Sequence, residues 1–334
     1  MLVKYIKRKR PLGTQFARYT LCKIEHLRYR FFAASKDIMT IYDFNETTPE
    51  LGDFISWLML IRYFQKKGIA IECVVLDKTD HPKLGLIHKR LFKIICGDQE
   101  IINYKIQNIN SFRKEIDLNK KFLLLQKKLL HTKNANLHYF NFVNILCKRE
   151  NNDFYNEFLL SDVGQDEEVK RFGLKEYVVL HVRYTPPDSN LYILESIRNA
   201  SREFFIELIY ALKEKYPNQR ILVVSDKLGS EFYKNLSIEN NLDCYFSKDH
   251  LDDFIFDCQL VLNANAYFQV NGGGMCAMAF FSKVPYLICA QITHTEYRVT
   301  RSKKNYWSSS NQIFREICLD DEFYYHLNSF GNLD

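Results

Sequence analysis

The chain has 334 residues, 47% of them hydrophobic and 15% aromatic, with a formal net charge of +6. That length exceeds a typical single core, so two domains are expected. No apolar run approaches the roughly 20 residues that span a bilayer, and no apolar h-region follows the basic start, which argues against a spanning helix and a secretory signal and predicts a cytoplasmic chain.

Nine cysteines occur without CxxC pairs or zinc-like spacing and read as free thiols of a reducing compartment. Residues 1–30 hold nine Lys/Arg (Lys4, Lys7, Arg8, Lys9, Arg10, Arg18, Lys23, Arg28, Arg30) and one acid, Glu25, a charge of +8. Against +6 for the whole chain, that leaves −2 for residues 31–334, so the basic character is an N-terminal feature. Interleaved Tyr5, Ile6, Phe16, Tyr19, Leu21 and Leu27 suit an anionic membrane surface; a solvated basic arm is the other reading. No basic excess elsewhere extends a phosphate track, so nucleic acid is not the expected partner.

Ile38–Asp43 reads as a strand, and Asn45–Glu50 as a polar loop. An apolar helical stretch from Leu51 runs to about Lys67, stopped by Gly68, before the strand Ile69–Leu76. Strand, helix and strand in about 40 residues make one βαβ unit. Residues 80–160 read as mostly helical and irregular, with Leu123–Leu125 and Leu129–Leu130 as core or interdomain packing. The acid-, Gly- and Lys-containing stretch 162–175 marks the domain junction.

The second half alternates strands and helices. Tyr177–Val182 is a buried-strand pattern, followed by a loop holding Pro186 and Pro187 and leading to Arg198 and Asn199. A helix over 201–216, a strand over Arg220–Asp226, a helix near 229–240 and a short strand near Asp243–Phe246 come next. A helix near 250–258, a strand over Gln259–Leu262, the glycine-rich turn, a helix to about Phe281 and a strand over Pro285–Ile288 complete the series. This alternation implies parallel sheets with right-handed crossovers.

The stretch Val270-Asn271-Gly272-Gly273-Gly274-Met275 is the strongest local signal. Glycine costs a helix about 1 kcal/mol relative to alanine, so three at a helix entrance need a local reason. Without Cβ atoms, backbone N–H groups at a helix N-terminus can meet an anion closely; a tight turn that only packs is the alternative. Ligands of open α/β sheets sit beyond the carboxyl ends of strands. Three such ends carry polar groups: His181 with Arg183, Ser225 with Asp226, and Asn271 with Gly272, Gly273 and Gly274, while Arg198 and Asn199 lie in the loop between the first two. An arginine can grip phosphate bidentately, the turn offers backbone donors, and an acid or amide can hold ribose or base. Together they describe a nucleotide pocket.

The segment from about Lys175 to Ala290 resembles the nucleotide-sugar-binding half of GT-B glycosyltransferases. Val179-Leu180-His181-Val182-Arg183 is similar to the HxR strand of the fucosyltransferase-like superfamily, followed in order by a VVSD strand end, a helix with Asp252, Asp253 and Asp257, a glycine loop and KVPYL. The resemblance implies that Arg183 binds the donor phosphate, with Asn271 and the glycines near phosphate or ribose. Leu51-Gly52-Asp53-Phe54-Ile55 resembles the LGD turn of heptosyltransferase-like GT-B enzymes, which implies that Asp53 is the general base. Such a carboxylate takes the acceptor hydroxyl proton in an inverting transfer. Alternatively Asp53 only caps its helix, with Asp43, Glu46 and Glu50 as nearby carboxylates. His294, Arg298 and Arg301 follow the last strand and could meet the donor phosphates or form an ordinary basic loop. No carboxylate pair follows a strand in a metal-binding manner, so no metal cofactor is expected.

The expectation is therefore an α/β protein of two Rossmann-like domains of the GT-B type facing a central cleft. A basic segment (1–30) precedes an acceptor-side domain with a helical insert (31–165) and a nucleotide-sugar-binding domain (166–334). Its expected activity is metal-independent, inverting transfer from a nucleotide-sugar donor, GDP-linked in preference, to a glycan or lipid-linked acceptor in surface glycoconjugate synthesis. A nucleotide-sugar 2-epimerase-type enzyme and a non-catalytic nucleotide- or glycan-binding protein are the alternatives.

Overall fold

The structure is a computed structural model that describes residues 38–43, 51–66, 68, 71–76, 82–97, 102–107, 123–125, 135–138, 167–189, 199–270, 275, 278–279, 282, 284–289 and 316–317. Two compact units emerge. The first holds a five-stranded parallel sheet built from β1 (Ile38–Asp43), β2 (Ile71–Leu76), β3 (Ile102–Gln107), β4 (Leu123–Leu125) and β5 (Ala135–His138). Its spatial order is β3-β2-β1-β4-β5, so the direction of strand addition reverses between β1 and β4.

Three of these strands correct the reading of residues 80–160 as helical and irregular. Ile102, Tyr104 and Ile106 alternate with Asn103, Lys105 and Gln107 in β3, a period-two pattern that suits a pleated strand. Leu123–Leu125 pairs in register with Met39–Ile41 of β1. Among the described residues of that region, α2 (Pro82–Cys96) is the helical part.

The second unit carries the sheet β6 (Tyr177–His181), β7 (Arg220–Val224), β8 (Tyr245–Phe246), β9 (Ala266–Val270), β10 (Tyr286–Cys289) and β11 (Glu316–Ile317). All its pairings are parallel. The order is β11-β10-β9-β6-β7-β8. Counted from β6, this is the doubly wound order 3-2-1-4-5-6, reversing between β6 and β9. The helices of this unit are α3 (Glu167–Phe172), α4 (Arg202–Lys215), α5 (Lys227–Glu239) and α6 (Phe254–Leu262). The unit also includes α2 and the part of α1 (Leu51–Lys66) up to Arg62, where a boundary drawn at residue 166 leaves both outside it.

Alternation along β6 decides what each face buries. Val178, Leu180 and Val182 join Ile221, Val223, Ala266 and Phe268 against Phe205, Leu208 and Leu212 of α4 and Tyr233 and Leu236 of α5. Tyr177 points the other way, and its hydroxyl donates to the Leu260 carbonyl of α6 at 2.9 Å. The whole stretch Ile255–Val261 is buried, so Gln259–Leu262, expected as a strand, is the second half of a helix. Ser201 caps α4 by accepting from Phe204 N at 3.2 Å, and Asp253 caps α6 by accepting from Ile255 N and Phe256 N at 2.7 and 3.1 Å. Both caps satisfy amides that a helix start leaves without partners.

Further contacts tie α1, α2 and α3 into the second unit. The Arg62 guanidinium donates to Ile95 O at 2.7 Å, Arg90 of α2 pairs with Asp253 at the start of α6, and Phe172 of α3 meets Phe256 edge-on at 5.7 Å. Lys248 and Asp257 form an ion pair at 2.5 Å, with side chains only 9% and 4% exposed. Among the described residues no helix is long and apolar enough to cross a membrane.

Candidate functional site

The switch in strand order puts the carboxyl ends of β6 and β9 side by side, and His181, the last residue of β6, stands in register with Gln269 of β9. Two residues on, Arg183 is half-buried. On the opposite flank of β6, His181 registers with Val224, the last residue of β7, which Ser225 and Asp226 follow directly. The fold thus puts His181 and Arg183 on a strand end next to that of Ser225 and Asp226.

His181 is buried at 8% exposure, its ring stacked on that of Tyr267 with centroids 6.5 Å apart and an interplanar angle of 17°. Burial, and after it the charge of nearby Arg183, push its pKa down to about 3, against a side-chain hydrogen bond with Gln269 that acts the other way. The imidazole is therefore neutral at physiological pH. Gln269 is fully buried, and its Oε1 accepts from the Tyr267 hydroxyl. Among the described residues, His181 Nδ1 and Gln269 Nε2 have no hydrogen-bond partner. Buried polar atoms left in this state are uncommon, because each forfeits its solvation without a replacement. Gln269 escaped the sequence reading because its strand was placed earlier, at 259–262. A lone polar residue inside Ala-Tyr-Phe-Gln-Val was the available signal.

At the end of β7, Ser225 is buried and its Oγ also lacks a partner among the described residues. Asp226 is exposed and caps α5, its Oδ1 accepting from Gly229 N at 2.7 Å. Its carboxylate is thus oriented by its own helix, and one oxygen is already engaged. Asn199 closes the loop that leaves β6: Thr185 N donates to its Oδ1 at 2.8 Å, and its Nδ2 donates to Thr185 O at 3.0 Å. The amide expected to meet ribose or base therefore holds backbone. Tyr233 of α5 reaches the same loop, its hydroxyl lying 3.0 Å from both Arg183 O and Ala200 O. Beside it, Tyr184 stacks on Phe232 with centroids 4.0 Å apart and planes 8° from parallel.

Asp53 is the third residue of α1, in its first turn. Arg198, Asn271, Gly272, Gly273, Gly274, His294, Arg298, Arg301 and the basic segment 1–30 lie outside the described residues. In the chain, Asn271 directly follows Val270, the last residue of β9. Among the described residues no three His, Cys, Asp or Glu side chains cluster in a way that could hold a metal ion.

No known sequence family matches the chain, and no curated protein matches it in sequence. Its backbone is similar to that of a glycosyl transferase of family 9 from Veillonella parvula, with a TM-score of 0.53 over 90% of this chain and 92% of that one, at 10% identity. The chain has a GT-B type of fold. E. coli heptosyltransferase WaaC with ADP (TM-score 0.48, 12% identity, 85% of this chain and 93% of that one) and a UDP-GlcNAc 2-epimerase of Methanocaldococcus jannaschii (0.43, 11%, 89% and 93%) are also similar to it. At these identities the likeness concerns the fold alone.

Proposed function

We propose that the protein is a glycosyltransferase that takes its sugar from a nucleotide-sugar donor bound by the second unit. The observation that carries this reading is the placement of Arg183 and the neutral His181 at the end of β6, beside the strand after which Asn271–Gly274 begins, at the reversal of strand order. An open doubly wound sheet binds nucleotides at that position. A guanidinium there offsets the charge that develops on a leaving diphosphate, so the transfer proceeds without a metal ion. Ser225 and Asp226 stand one strand over, where ribose or base would be held.

Asp53 is the proposed general base for the acceptor hydroxyl, with inversion at the anomeric carbon. The acceptor is a glycan or lipid-linked precursor. Residues 1–30, with their charge of +8, suit a location at an anionic membrane surface.

A thermal-shift panel of GDP-, UDP-, ADP-, dTDP- and CMP-linked sugars tests the reading. A donor that binds only the native state raises its melting temperature, by an amount set by its concentration over its Kd. A rise with one nucleotide class, abolished in Arg183→Ala, is the expected result. No rise with any of them at millimolar concentration would overturn the donor assignment.

A further inference from the structure

Arg183 leaves its strand on a backbone that is held from several sides. Val182 N donates to Val224 O at 3.1 Å, which extends the ladder one residue past β6. The Arg183 carbonyl is 3.0 Å from the Tyr233 hydroxyl, and the carbonyl of Ala200, where the loop returns, is also 3.0 Å from it. One phenolic hydrogen therefore bridges the two ends of the 183–200 segment. Burial raises the Tyr233 pKa well above the ordinary phenol range, which keeps that hydrogen in place. The ring itself has little freedom. It is fully buried, tilted against Phe205 at 4.6 Å, and edge-on to Phe232 at 5.0 Å and to Tyr184 at 6.4 Å. Asn199 ties the loop a second time through Thr185.

These contacts serve one end that core packing does not require. The aromatic ring packs in the core between α5 and the sheet with Leu236 and Phe205. The hydroxyl adds nothing to that packing, yet it fixes where the Arg183 backbone stands and hence where the guanidinium can reach. We propose that Tyr233 is a positioning residue of the nucleotide-diphosphate site, acting through Arg183 by clamping the two ends of the loop that carries it. This rests on the reading of Arg183 as the donor-phosphate ligand given above.

Tyr233→Phe removes the hydroxyl and leaves the ring contacts. GDP, UDP and ADP, titrated calorimetrically into the full chain, serve as probes. For whichever binds wild type, the expected loss of affinity in Tyr233→Phe is about tenfold, the order of one well-made hydrogen bond. In an Arg183→Ala background the same substitution should change affinity by less than about twofold, because the group it positions is gone. Asn199→Ala opens the loop from its other tie and should show the same dependence on Arg183. Wild-type affinity in both Tyr233→Phe and Asn199→Ala, or an equal loss with and without Arg183, overturns the positioning role while leaving the donor site standing. Unchanged affinity in Arg183→Ala, or no binding of any of the three nucleotides by wild type, overturns the site and the positioning role with it.

Discussion

His181 and Gln269 face each other across the two strands between which the second sheet reverses its order. Both are buried, and each keeps a polar atom without a partner among the described residues. A packed core replaces such atoms with carbon unless something needs them. They stand at the carboxyl edge of the sheet, where parallel α/β folds meet their ligands, beside the donor site proposed for this unit.

The histidine makes a pH prediction with a definite sign. Its folded pKa of about 3 lies below the ordinary value of 6.5. Between those values the unfolded chain binds a proton that the folded chain refuses, so stability falls as pH drops from about 6.5 towards 3. The slope from this one group is at most about 1.4 kcal/mol per pH unit. Asp257 opposes it, because burial raises its carboxyl to about 6 and so favours the fold as pH falls from there to the ordinary carboxylate range. Urea unfolding of wild type and His181→Gln at pH 7, 6, 5 and 4 separates the two. The variant should lose less stability than wild type as pH falls. Parallel curves would mean that the imidazole does not titrate as its burial demands.

A second prediction concerns the turn after β7. A Cβ built on Gly229 would lie 2.0 Å from Ser225 Oγ and 3.2 Å from Asp226 Oδ1. Gly229→Ala should therefore destabilise by about 1–3 kcal/mol, the range for overpacking a filled site. Ser225→Ala removes a buried hydroxyl that has no hydrogen-bond partner among the described residues, so it should be close to neutral by itself. In that background the alanine at 229 meets its worst neighbour no longer, and its cost should drop by at least half. Additive effects in denaturant melts would show that the hydroxyl is not what excludes a side chain there.

The buried pair Lys248–Asp257 allows a third test. Removing one partner leaves a charge inside the protein, at a cost of about 3–5 kcal/mol. Lys248→Met should be destabilised on that scale and should recover stability as pH falls, from above pH 6, because the loss of the lysine charge lets burial push the Asp257 carboxyl higher than in wild type. The double variant Lys248→Met/Asp257→Leu should regain most of the loss at neutral pH. A single variant as stable as the double one at pH 8 would mean that water reaches the carboxylate.

Much of the architecture was legible from local pattern. Tyr177–Val182 reads as a buried strand because β-branched and aromatic residues crowd a short run, and β6 occupies Tyr177–His181. Asp253 caps α6, in keeping with an acid that directly precedes an apolar stretch. The error at Gln259–Leu262 has a physical cause. The helix α6 is buried on every side, so its nine residues show neither a 3.6 period nor a period of two. That misplacement carried β9 with it, and Gln269 was lost as a candidate. For Asn199 and Asp226, residue type suggested ligand contact. Each also suits a local backbone role, and their use by Thr185 and Gly229 depends on a loop path that spacing alone does not reveal.

Arg183 separates ligand binding from packing. It is half-buried beside His181, whose pKa its charge helps to depress, so the guanidinium is close to the strand ends. Arg183→Ala should weaken binding of the selected nucleotide sugar by about 1.5–3 kcal/mol, the range for a hydrogen bond to a charged group. Arg183→Lys should recover only part of this, since an ammonium cannot make the two parallel bonds of a guanidinium. Arg183→Ala, which removes the nearby positive charge, should also raise the His181 pKa, which NMR of the imidazole can follow. Full affinity in the alanine variant would remove the phosphate role.

For Asp53 the test must divide catalysis from stabilisation of the first helical turn. The residue is the third of α1, inside the first turn and past the cap position, where a carboxylate favours the helix through its dipole. Asp53→Asn should therefore cost no more than about 1 kcal/mol of stability. If the carboxylate takes the acceptor proton, the same change should slow transfer by about 100- to 10,000-fold while donor affinity stays unchanged. Nucleotide release from the donor picked out by the thermal-shift panel, followed with a lipid-linked glycan fraction as acceptor, reads the rate. Calorimetry with the same donor reads the affinity. A variant that turns over at the wild-type rate would leave Asp53 a helix residue and send the search to Asp43, Glu46 and Glu50, the nearest carboxylates in the chain.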